Sequence, residues 1–431
     1  MLTTPKHLPP RDAWALAVVL MAAMTFSHLD RALLGLLADP IKESLSLTDS
    51  NIGLLHAAYG ILSGFAAFPL ARWIDRGPRR LIVGLGILAW TGATAATAAA
   101  TSFLQLLGAR AITSVGEAAL MPGATSLISD AFPAEKRATP MGVFTIGIYF
   151  GSAAALIGGG ALAHAFATGA LPLPPFVATS WQAVFLVIGL AGMLVAPALA
   201  LTKSPARNAD AQEREAASIA AVLGFCRANP QLLVGHIVGF TMMGFAANAV
   251  GMWVPSLFSR EFGWSSAQLG LAFGLVLLGV GPLGSVTGGL LADRLMQGGR
   301  KDASIRVGLI SGYIAAPAAA CAGLAANGVI CMLALAVFFF VISFNWALAA
   351  TSLAAVTPSA MRAQMIAVYL GVSNVIGGGV GPLVLAMASD ALSQSGGGLQ
   401  QAVLFVTPTA VALGVLFLHV ARPRFATQTM S

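Results

Sequence analysis

Apolar segments of about 20 residues recur along the whole chain, separated by short polar stretches that hold most of the charge. An α-helix of that length crosses a bilayer core about 30 Å thick, whereas a membrane β-barrel would show shorter, alternating segments. The pattern therefore predicts an all-α membrane protein with twelve transmembrane helices. The predicted spans are 13–38, 50–72, 79–100, 103–130, 138–167, 181–202, 231–257, 266–292, 304–326, 328–356, 362–389 and 400–421.

One long polar segment, 203–230, interrupts this pattern in the middle of the chain. Its central part is able to form an amphipathic helix, so we expect a cytoplasmic linker that lies on the membrane surface. The linker divides the chain into an N-terminal six-helix bundle, 1–202, and a C-terminal six-helix bundle, 231–431.

The distribution of basic residues predicts the orientation of the spans. If the N-terminus is cytoplasmic, 19 of the 23 lysines and arginines fall in inside segments, 2 in outside segments and 2 within spans. Basic residues are enriched in cytoplasmic loops, so we expect both termini to be cytoplasmic. The net charge of +7 is spread over these loops and does not indicate nucleic-acid binding. We expect a monomeric, multi-pass protein of the cell membrane, which in a bacterium is the inner membrane.

Composition supports the same class and excludes others. Hydrophobic residues make up 57% of the chain and charged residues 9%, against about 25% charged residues in a soluble domain. The three cysteines show no spacing typical of disulfide frameworks or metal sites, and no phosphate-binding loop is present. Ser27 and His28 are the one candidate nucleophile–base pair near an acid, but neighbours on a helix do not face each other. We therefore expect no enzyme activity, metal or cofactor.

The two halves repeat each other. The loop ARWIDRGPRR, 71–80, and the segment GGLLADRLMQGGRKD, 288–302, both place an Asp-Arg pair before a basic cluster. Aligning Asp75 with Asp293 superimposes the halves, which indicates two pseudo-symmetric bundles. Transporters built from such repeats bind their substrates near the middle of the membrane, where the repeats meet.

Four charged residues lie well inside predicted spans: Asp30, Arg31, Arg110 and Glu117. A charge at the bilayer centre costs about 2.5–3.5 kcal/mol on insertion scales, so such residues usually pair and mark transport pathways. Arg110 and Glu117 are seven residues apart and share one helix face. Arg31 offers a permanent, planar cation to a phosphate or carboxylate, while Asp30 and Glu117 are candidate proton carriers. A static cluster that braces spans 1 and 4 is the alternative. His28 is a candidate pH sensor.

The whole chain resembles the major facilitator superfamily, on its two six-span halves and the loop 71–80. The segments LDRALLGLLADPIKESLSLTDSNIGLL, RAITSVGEAALMPGATSLISDAFPAEKRATPMGVF and RAQMIAVYLGVSNVIGGGVGPLVLAMASD resemble the spinster-type branch, which moves lysolipids and sphingosine phosphate in animals. Bacterial carriers of sugar acids and aromatic acids share similar stretches. The resemblance implies that the residues matching Asp30, Arg31, Arg110 and Glu117 bind substrate and couple protons, with the proton as coupling ion.

The resemblance also implies a cytoplasmic gate, in which the acid of loop 2–3 pairs with basic residues near spans 4 and 11. The predicted gate residues are Asp75, Arg76, Arg79, Arg80, Asp130, Glu135, Arg137 and Arg362, with Asp293, Arg294 and Arg300 as the weaker mirror copy. A solvated, positively charged loop is the alternative reading of the same residues.

The C-terminal half contains no mid-span charge. Its amide and aromatic side chains are candidates for lining an apolar cavity, and so are two tyrosines of the first half. These candidates are Tyr59, Tyr149, Asn248, Trp253, Asn345, Trp346, Tyr369 and Asn374. A charged half that faces an uncharged half favours an amphipathic, anionic, lipid-like substrate. A small organic anion such as a sugar acid or aromatic acid is the alternative, and a passive lipid scramblase or channel is a further one.

Overall fold

The computed structural model describes residues 7–133, 136–207, 219–358, 361–394 and 398–428, and the regular structure of these residues is helical. The α-helices are α1 Pro10–Leu36, α2 Ala38–Leu45, α3 Asp49–Arg76, α4 Arg79–Ala96, α5 Phe103–Glu117, α6 Leu120–Ala131, α7 Ala138–Ala154, α8 Gly160–Ala167, α9 Ser180–Met193, α10 Val195–Leu201, α11 Ile219–Ala228, α12 Pro230–Phe262, α13 Ser266–Gln297, α14 Ala303–Gly323, α15 Gly328–Ile342, α16 Asn345–Val356, α17 Arg362–Val372, α18 Gly381–Ser393 and α19 Leu399–Gln428. Wider π turns, Ala155–Gly159 and Ser373–Val380, connect α7 to α8 and α17 to α18.

Ten helical segments among the described residues are long and apolar enough to cross a membrane. Each predicted span coincides with one helix or with a run of consecutive helices. The predicted spans 103–130 and 328–356 each consist of two consecutive helices, α5 with α6 and α15 with α16. With these broken helices counted, the chain has ten to twelve membrane-spanning segments.

The break between α5 and α6 has a clear cause in the sequence. Pro122 lies in the first turn of α6, and proline has no N–H to donate to the carbonyl four residues earlier. That carbonyl belongs to Ala118, which directly follows the last residue of α5, Glu117. The break between α15 and α16 contains no proline; there the Asn345 side chain donates to the Ile342 carbonyl (3.1 Å).

Polar side chains fix the starts of several helices. Ser102 accepts a hydrogen bond from the Gln105 N–H at the start of α5 (3.4 Å), and Asn327 accepts one from Ile330 at the start of α15 (3.0 Å). At α9, Thr179 and Gln182 form a reciprocal capping pair. Such caps satisfy N–H groups that have no partner within the helix.

The described residues form two compact units. The first contains those within Met1–Leu47, Ala58–Glu213 and Ser265–Gly274. The second contains those within Thr48–Ala57, Arg214–Trp264 and Leu275–Ser431. The start of α3, within Thr48–Ala57, thus groups with the second unit, and the start of α13, within Ser265–Gly274, groups with the first.

Glycines let α7 pack directly on α1 in the first unit. A Cβ atom on Gly147 would lie 2.7 Å from the Met21 carbonyl oxygen, and one on Gly151 would collide with that of Thr25. This close approach fixes the turn of α1 that follows Thr25, which carries Ser27, His28, Asp30 and Arg31. In the second unit Gly381 packs on the backbone of α12 in the same way.

Candidate functional site

Asp30 and Arg110 form a buried ion pair between α1 and α5. Arg110 Nη1 donates to Asp30 Oδ2 (2.6 Å), and the Thr94 hydroxyl of α4 donates to Oδ1 (2.8 Å). Both charged side chains are almost completely shielded, with 3% and 2% of their surfaces exposed. The guanidinium lies over the Phe185 ring (5.3 Å to the centroid). Asp30 is therefore held by protein groups on both carboxylate oxygens.

Glu117 and Arg31 form a second pair, with a different exposure. Glu117 Oε2 accepts hydrogen bonds from Ser27 Oγ (2.6 Å), Tyr59 OH (2.5 Å), and Arg31 Nε and Nη2 (3.0 and 2.9 Å). Glu117 Oε1 is buried and has no hydrogen-bond partner among the described residues. The Glu117 side chain is 0% exposed, but that of Arg31 is 32% exposed. The cation of this pair is therefore accessible while the carboxylate is not.

The Tyr59 side chain contacts both members of the second pair. Its ring lies under the Arg31 guanidinium (4.8 Å to the centroid), and its hydroxyl donates to Glu117. The packing of α5 against α3 places it there, since Ser114 Oγ donates to the Tyr59 carbonyl (2.6 Å). The helix break after Glu117 lies directly beside this cluster.

The four mid-span charges thus come together in one unit, as two separate pairs. Adjacent residues on a helix point about 100° apart, so Asp30 and Arg31 serve different partners. Sequence reasoning missed Ser27 and Thr94 as parts of these pairs. For Ser27 a signal was present, because it lies four residues before Arg31 and therefore on the same face of α1.

His28 faces a different neighbour from the two ion pairs. Its Nδ1 atom lies 3.3 Å from the Met24 carbonyl oxygen, and its Cβ atom lies against Gly151 of α7. The residue is half-buried at the contact between α1 and α7.

The predicted gate residues of the first unit centre on Arg79. This buried guanidinium donates from Nη1 to the Asp130 carboxylate at the end of α6 and to Ser126 Oγ (2.9 Å). Arg80 donates to the Thr202 carbonyl oxygen. The start of α4 is therefore joined to the ends of α6 and α10 by these two arginines.

Asp75 contacts the linker through its backbone. Its carbonyl oxygen accepts a hydrogen bond from Arg207, which also donates to the Ile74 carbonyl (2.8 Å). The side chains of Asp75 and Arg76 are exposed. Arg137 donates to the Phe132 carbonyl (3.1 Å), and Glu135 lies outside the described residues.

The mirror copy in the second unit has a different arrangement. Asp293, Arg294 and Arg300 are exposed. Arg362, the first residue of α17, donates to the carbonyl oxygen of Thr357, which directly follows α16 (3.4 Å).

Asp302, in the loop between α13 and α14, forms an ion cluster with two arginines. It accepts from Arg306 Nε (2.6 Å) and Arg422 Nε (2.8 Å), which joins the start of α14 to the end of α19. Burial opposes its ionisation, but the two arginine hydrogen bonds outweigh burial and lower the pKa of the Asp302 carboxyl below its usual value. Sequence reasoning named Asp293 at this loop and passed over Asp302.

Two of the predicted cavity residues, Trp253 and Asn345, are buried inside the second unit. Trp253 is 0% exposed and its indole N–H donates to the Pro382 carbonyl (3.0 Å), so it packs α12 on α18. Asn345 is 6% exposed and donates to Ser311 Oγ (2.9 Å). Both side chains therefore hydrogen-bond to partners within the same bundle, and a role in lining a cavity stays a prediction.

The other predicted cavity residues differ in exposure. Trp346 is 64% exposed and Tyr369 is 8% exposed, and the Tyr369 ring stands edge-on to that of His236 (6.1 Å between centroids). Asn248 donates to the carbonyl one turn before it, that of Gly244 (2.8 Å). Tyr149 is half-buried and Asn374 is exposed.

Comparisons with known proteins agree with this architecture. A family model described as Major Facilitator Superfamily matches residues 20–382. An MFS-type efflux pump of Mycolicibacterium smegmatis is 27% identical over 422 residues, which are 96% of this chain and 94% of the pump. The sphingosine-1-phosphate transporter SPNS2 of Xenopus tropicalis is 25% identical over 89% of this chain and 75% of that protein. A probable L-galactonate transporter of Escherichia coli K12 is 24% identical over 65% of this chain and 62% of that protein.

A solved structure shows the same fold. It is the crystal structure of a bacterial homologue of the human lysosomal transporter Spinster, in an inward-facing and unoccupied conformation. It superposes on this chain with a TM-score of 0.80 at 22% sequence identity, and the match covers 98% of both chains. The chain belongs to the Major Facilitator Superfamily of multi-pass membrane transporters, and spinster-type proteins are among its relatives.

Proposed function

We propose that this protein is a proton-coupled secondary transporter that carries an amphipathic anion by alternating access. The observation that carries the proposal is the unequal exposure of the second ion pair. Arg31 is 32% exposed, whereas its partner Glu117 is 0% exposed. An anion that enters from the exposed side meets a guanidinium able to bind a phosphate or carboxylate in two-point fashion.

Proton binding at Glu117 would change the strength of this site. Oε2 already accepts four hydrogen bonds, while Oε1 has no partner among the described residues, so Oε1 is the atom at which we place the proton. Neutral Glu117 attracts Arg31 less, because the Coulomb term between two unit charges is lost. Arg31 is then available to a substrate anion, which links proton uptake to substrate binding.

Asp30 is the less suitable proton carrier of the two. Its carboxylate is bonded to Arg110 and Thr94 on both oxygens, and both charges of that pair are buried. Removing one charge from a buried pair leaves the other uncompensated. We therefore assign Asp30 and Arg110 the role of fixing α1 on α5, so that Arg31 and Glu117 are held in register.

An amphipathic lipid-like anion is the substrate class we favour. The first half supplies the cation, and the second half contributes spans without mid-span charge, which suits a polar head joined to an apolar tail. A relative named as a sphingosine-1-phosphate transporter supports this class. A small organic anion is the second candidate, which a relative named as a probable L-galactonate transporter supports.

We also propose that both termini face the cytoplasm and that the protein acts as a monomer in the inner membrane of a bacterium. The gate around Arg79 and Asp130 in the first unit then regulates access to the substrate site from the cytoplasm. The distribution of lysine and arginine supports this orientation. Transport coupled to an ion gradient requires neither a metal nor an organic cofactor.

The test is transport by purified protein in liposomes with an imposed pH gradient. A lysolipid, a sphingoid phosphate and a sugar acid are offered in parallel, and accumulation of each is measured. We expect one class to accumulate and the Glu117→Gln variant to lose accumulation while it still exchanges substrate across the membrane at equal concentrations. Normal uphill accumulation by Glu117→Gln contradicts the proton assignment, and downhill movement without accumulation in the wild type indicates a passive scramblase.

Substrate contact is tested separately from proton coupling. Arg31→Ala removes the exposed guanidinium, and Arg227→Ala removes an exposed arginine at the end of α11 as a matched control. A bound ligand raises the melting temperature of a protein, so the active substrate should stabilise the wild type and Arg227→Ala but not Arg31→Ala. Equal stabilisation of all three would place the substrate elsewhere.

A further inference from the structure

An apolar groove of about 440 Å³ lies on the first unit, away from the two ion pairs. Three elements line it: the end of α3 with Leu70 and Trp73, one face of α4, and α5 with Ile112 and Val115. The groove is open, because Trp73 is 57% exposed and Ile112 is 55% exposed. Large apolar side chains at its rim are therefore left uncovered by the part of the chain that the structure describes.

Two glycines form the floor of the groove. A Cβ atom on Gly86 of α4 would lie 2.7 Å from the Gly116 carbonyl oxygen, and one on Gly116 would lie 2.9 Å from that of Gly86. The backbones of α4 and α5 therefore touch at this point, while the larger side chains on either side stand outward. The result is a narrow channel of the kind that suits an extended hydrocarbon chain.

Positive charge lies at one end of the groove. Leu70, Trp73 and Arg76 follow one another at a spacing of three, so they form one stripe on α3. Arg76 is the last residue of the helix, and both it and Arg72 are exposed. Asp75 is the acidic group on the same turn, so the turn keeps a net positive charge. Basic residues at a membrane surface attract anionic lipid headgroups.

We propose that this groove binds one acyl chain of an anionic phospholipid of the bilayer, with the phosphate of that lipid at Arg72 and Arg76. The occupant follows from the surroundings, because α3 and α4 are long and apolar enough to cross a membrane and their open faces meet hydrocarbon. The arginines select an anionic headgroup over a zwitterionic one. This lipid is a bound component of the transporter, distinct from its substrate, and the proposal does not depend on the proposed function.

The test uses the exposed indole of Trp73 as the reporter. Purified protein is placed in phosphatidylcholine nanodiscs that also contain one brominated lipid, either brominated phosphatidylglycerol or brominated phosphatidylcholine. Bromine atoms on the acyl chains quench tryptophan fluorescence on contact. The Trp73 signal is the difference between the wild type and Trp73→Phe. We expect phosphatidylglycerol to quench this signal with a relative association constant on the order of tenfold higher than phosphatidylcholine.

Two pairs of variants separate headgroup selection from chain binding. The double variant Arg72→Gln and Arg76→Gln should lose the preference for phosphatidylglycerol, whereas Arg294→Gln, at the corresponding place of the other unit, should keep it. Ala89→Phe fills the groove and should abolish the quenching of Trp73, whereas Ala96→Phe, exposed on the same helix outside the groove, should not. Equal quenching by both lipids in the wild type, or unchanged quenching in Ala89→Phe, would overturn the proposal.

Discussion

At the residue scale, the two ion pairs on α1 differ in what surrounds them. Asp30 has protein donors on both oxygens and a buried partner. Glu117 has donors on Oε2, no donor to Oε1 among the described residues, and a partly exposed partner. Breaking a buried pair by removing one charge costs about 3–5 kcal/mol, because the remaining charge is left uncompensated. This difference supports the proposal that the first pair serves stability and the second binds ligand.

This difference predicts unequal effects of two similar substitutions on stability. Arg110→Ala should lower the free energy of unfolding by about 3–5 kcal/mol, because Asp30 stays buried without its cation. Arg31→Ala should cost less, since its guanidinium is already in part accessible to solvent or ligand. Thermal unfolding of both variants in the same detergent measures the difference. Equal losses of melting temperature in the two variants would refute the division of roles.

At the scale of elements, the first turn of α3, which groups with the second unit, is held by charged residues of α12 and α18 in that same unit. Asp49 accepts hydrogen bonds from both terminal nitrogens of Arg260 (2.8 Å each). The N–H groups of Asp49 and Ser50 donate to the Asp390 carboxylate (3.2 and 2.8 Å). A carboxylate at this place complements the positive end of the helix dipole. Gly53 permits the contact, since a Cβ there would lie 2.9 Å from the Leu383 Cα.

The Asp390 carboxylate is therefore expected to control the opening of this turn. Asp390→Ala should speed amide hydrogen exchange in the first turn of α3 by on the order of tenfold, because the helix loses a cap and a favourable charge. Hydrogen exchange with mass spectrometry measures this rate. Ser393→Ala, on the same helix one turn further, is the control that should leave the rate unchanged. A uniform rise across all helices would indicate general destabilisation instead.

At the scale of the whole molecule, the order of the helices and the charge of the loops between them bear on the orientation of the chain in the membrane. Alternation of the spans places the loop between α8 and α9, residues 168–179, opposite the segments rich in arginine. That loop contains no lysine or arginine, in contrast to the segment 71–80, which contains four arginines. The enrichment of basic residues in cytoplasmic loops supports the proposal that both termini lie in the cytoplasm.

Reporter fusions test this orientation in living cells. A fluorescent protein fused to the C-terminus should fold and emit in the cytoplasm, and alkaline phosphatase inserted in the loop 168–179 should be active outside it. The two reporters are exchanged as a control, and each should then be silent. An active phosphatase at the C-terminus would reverse the orientation.

Several parts of this description could be predicted from the sequence, because they depend on local properties. The length and apolarity of the spans and the four mid-span charges are read directly from the chain. Pro122 even marks the break beside Glu117, although the spacing of apolar residues alone indicates one continuous span. Helix length and transfer energy depend on nearby residues only, so they are visible in the sequence.

The tertiary structure decided which charges meet and which are exposed. It paired Asp30 with Arg110 and Arg31 with Glu117, buried Trp253, and formed the groove over Gly86 and Gly116. These outcomes depend on how helices far apart in the chain are rotated and how closely their backbones approach. Composition and periodicity carry no information about that long-range packing, which sets both the distance between two charges and their access to solvent.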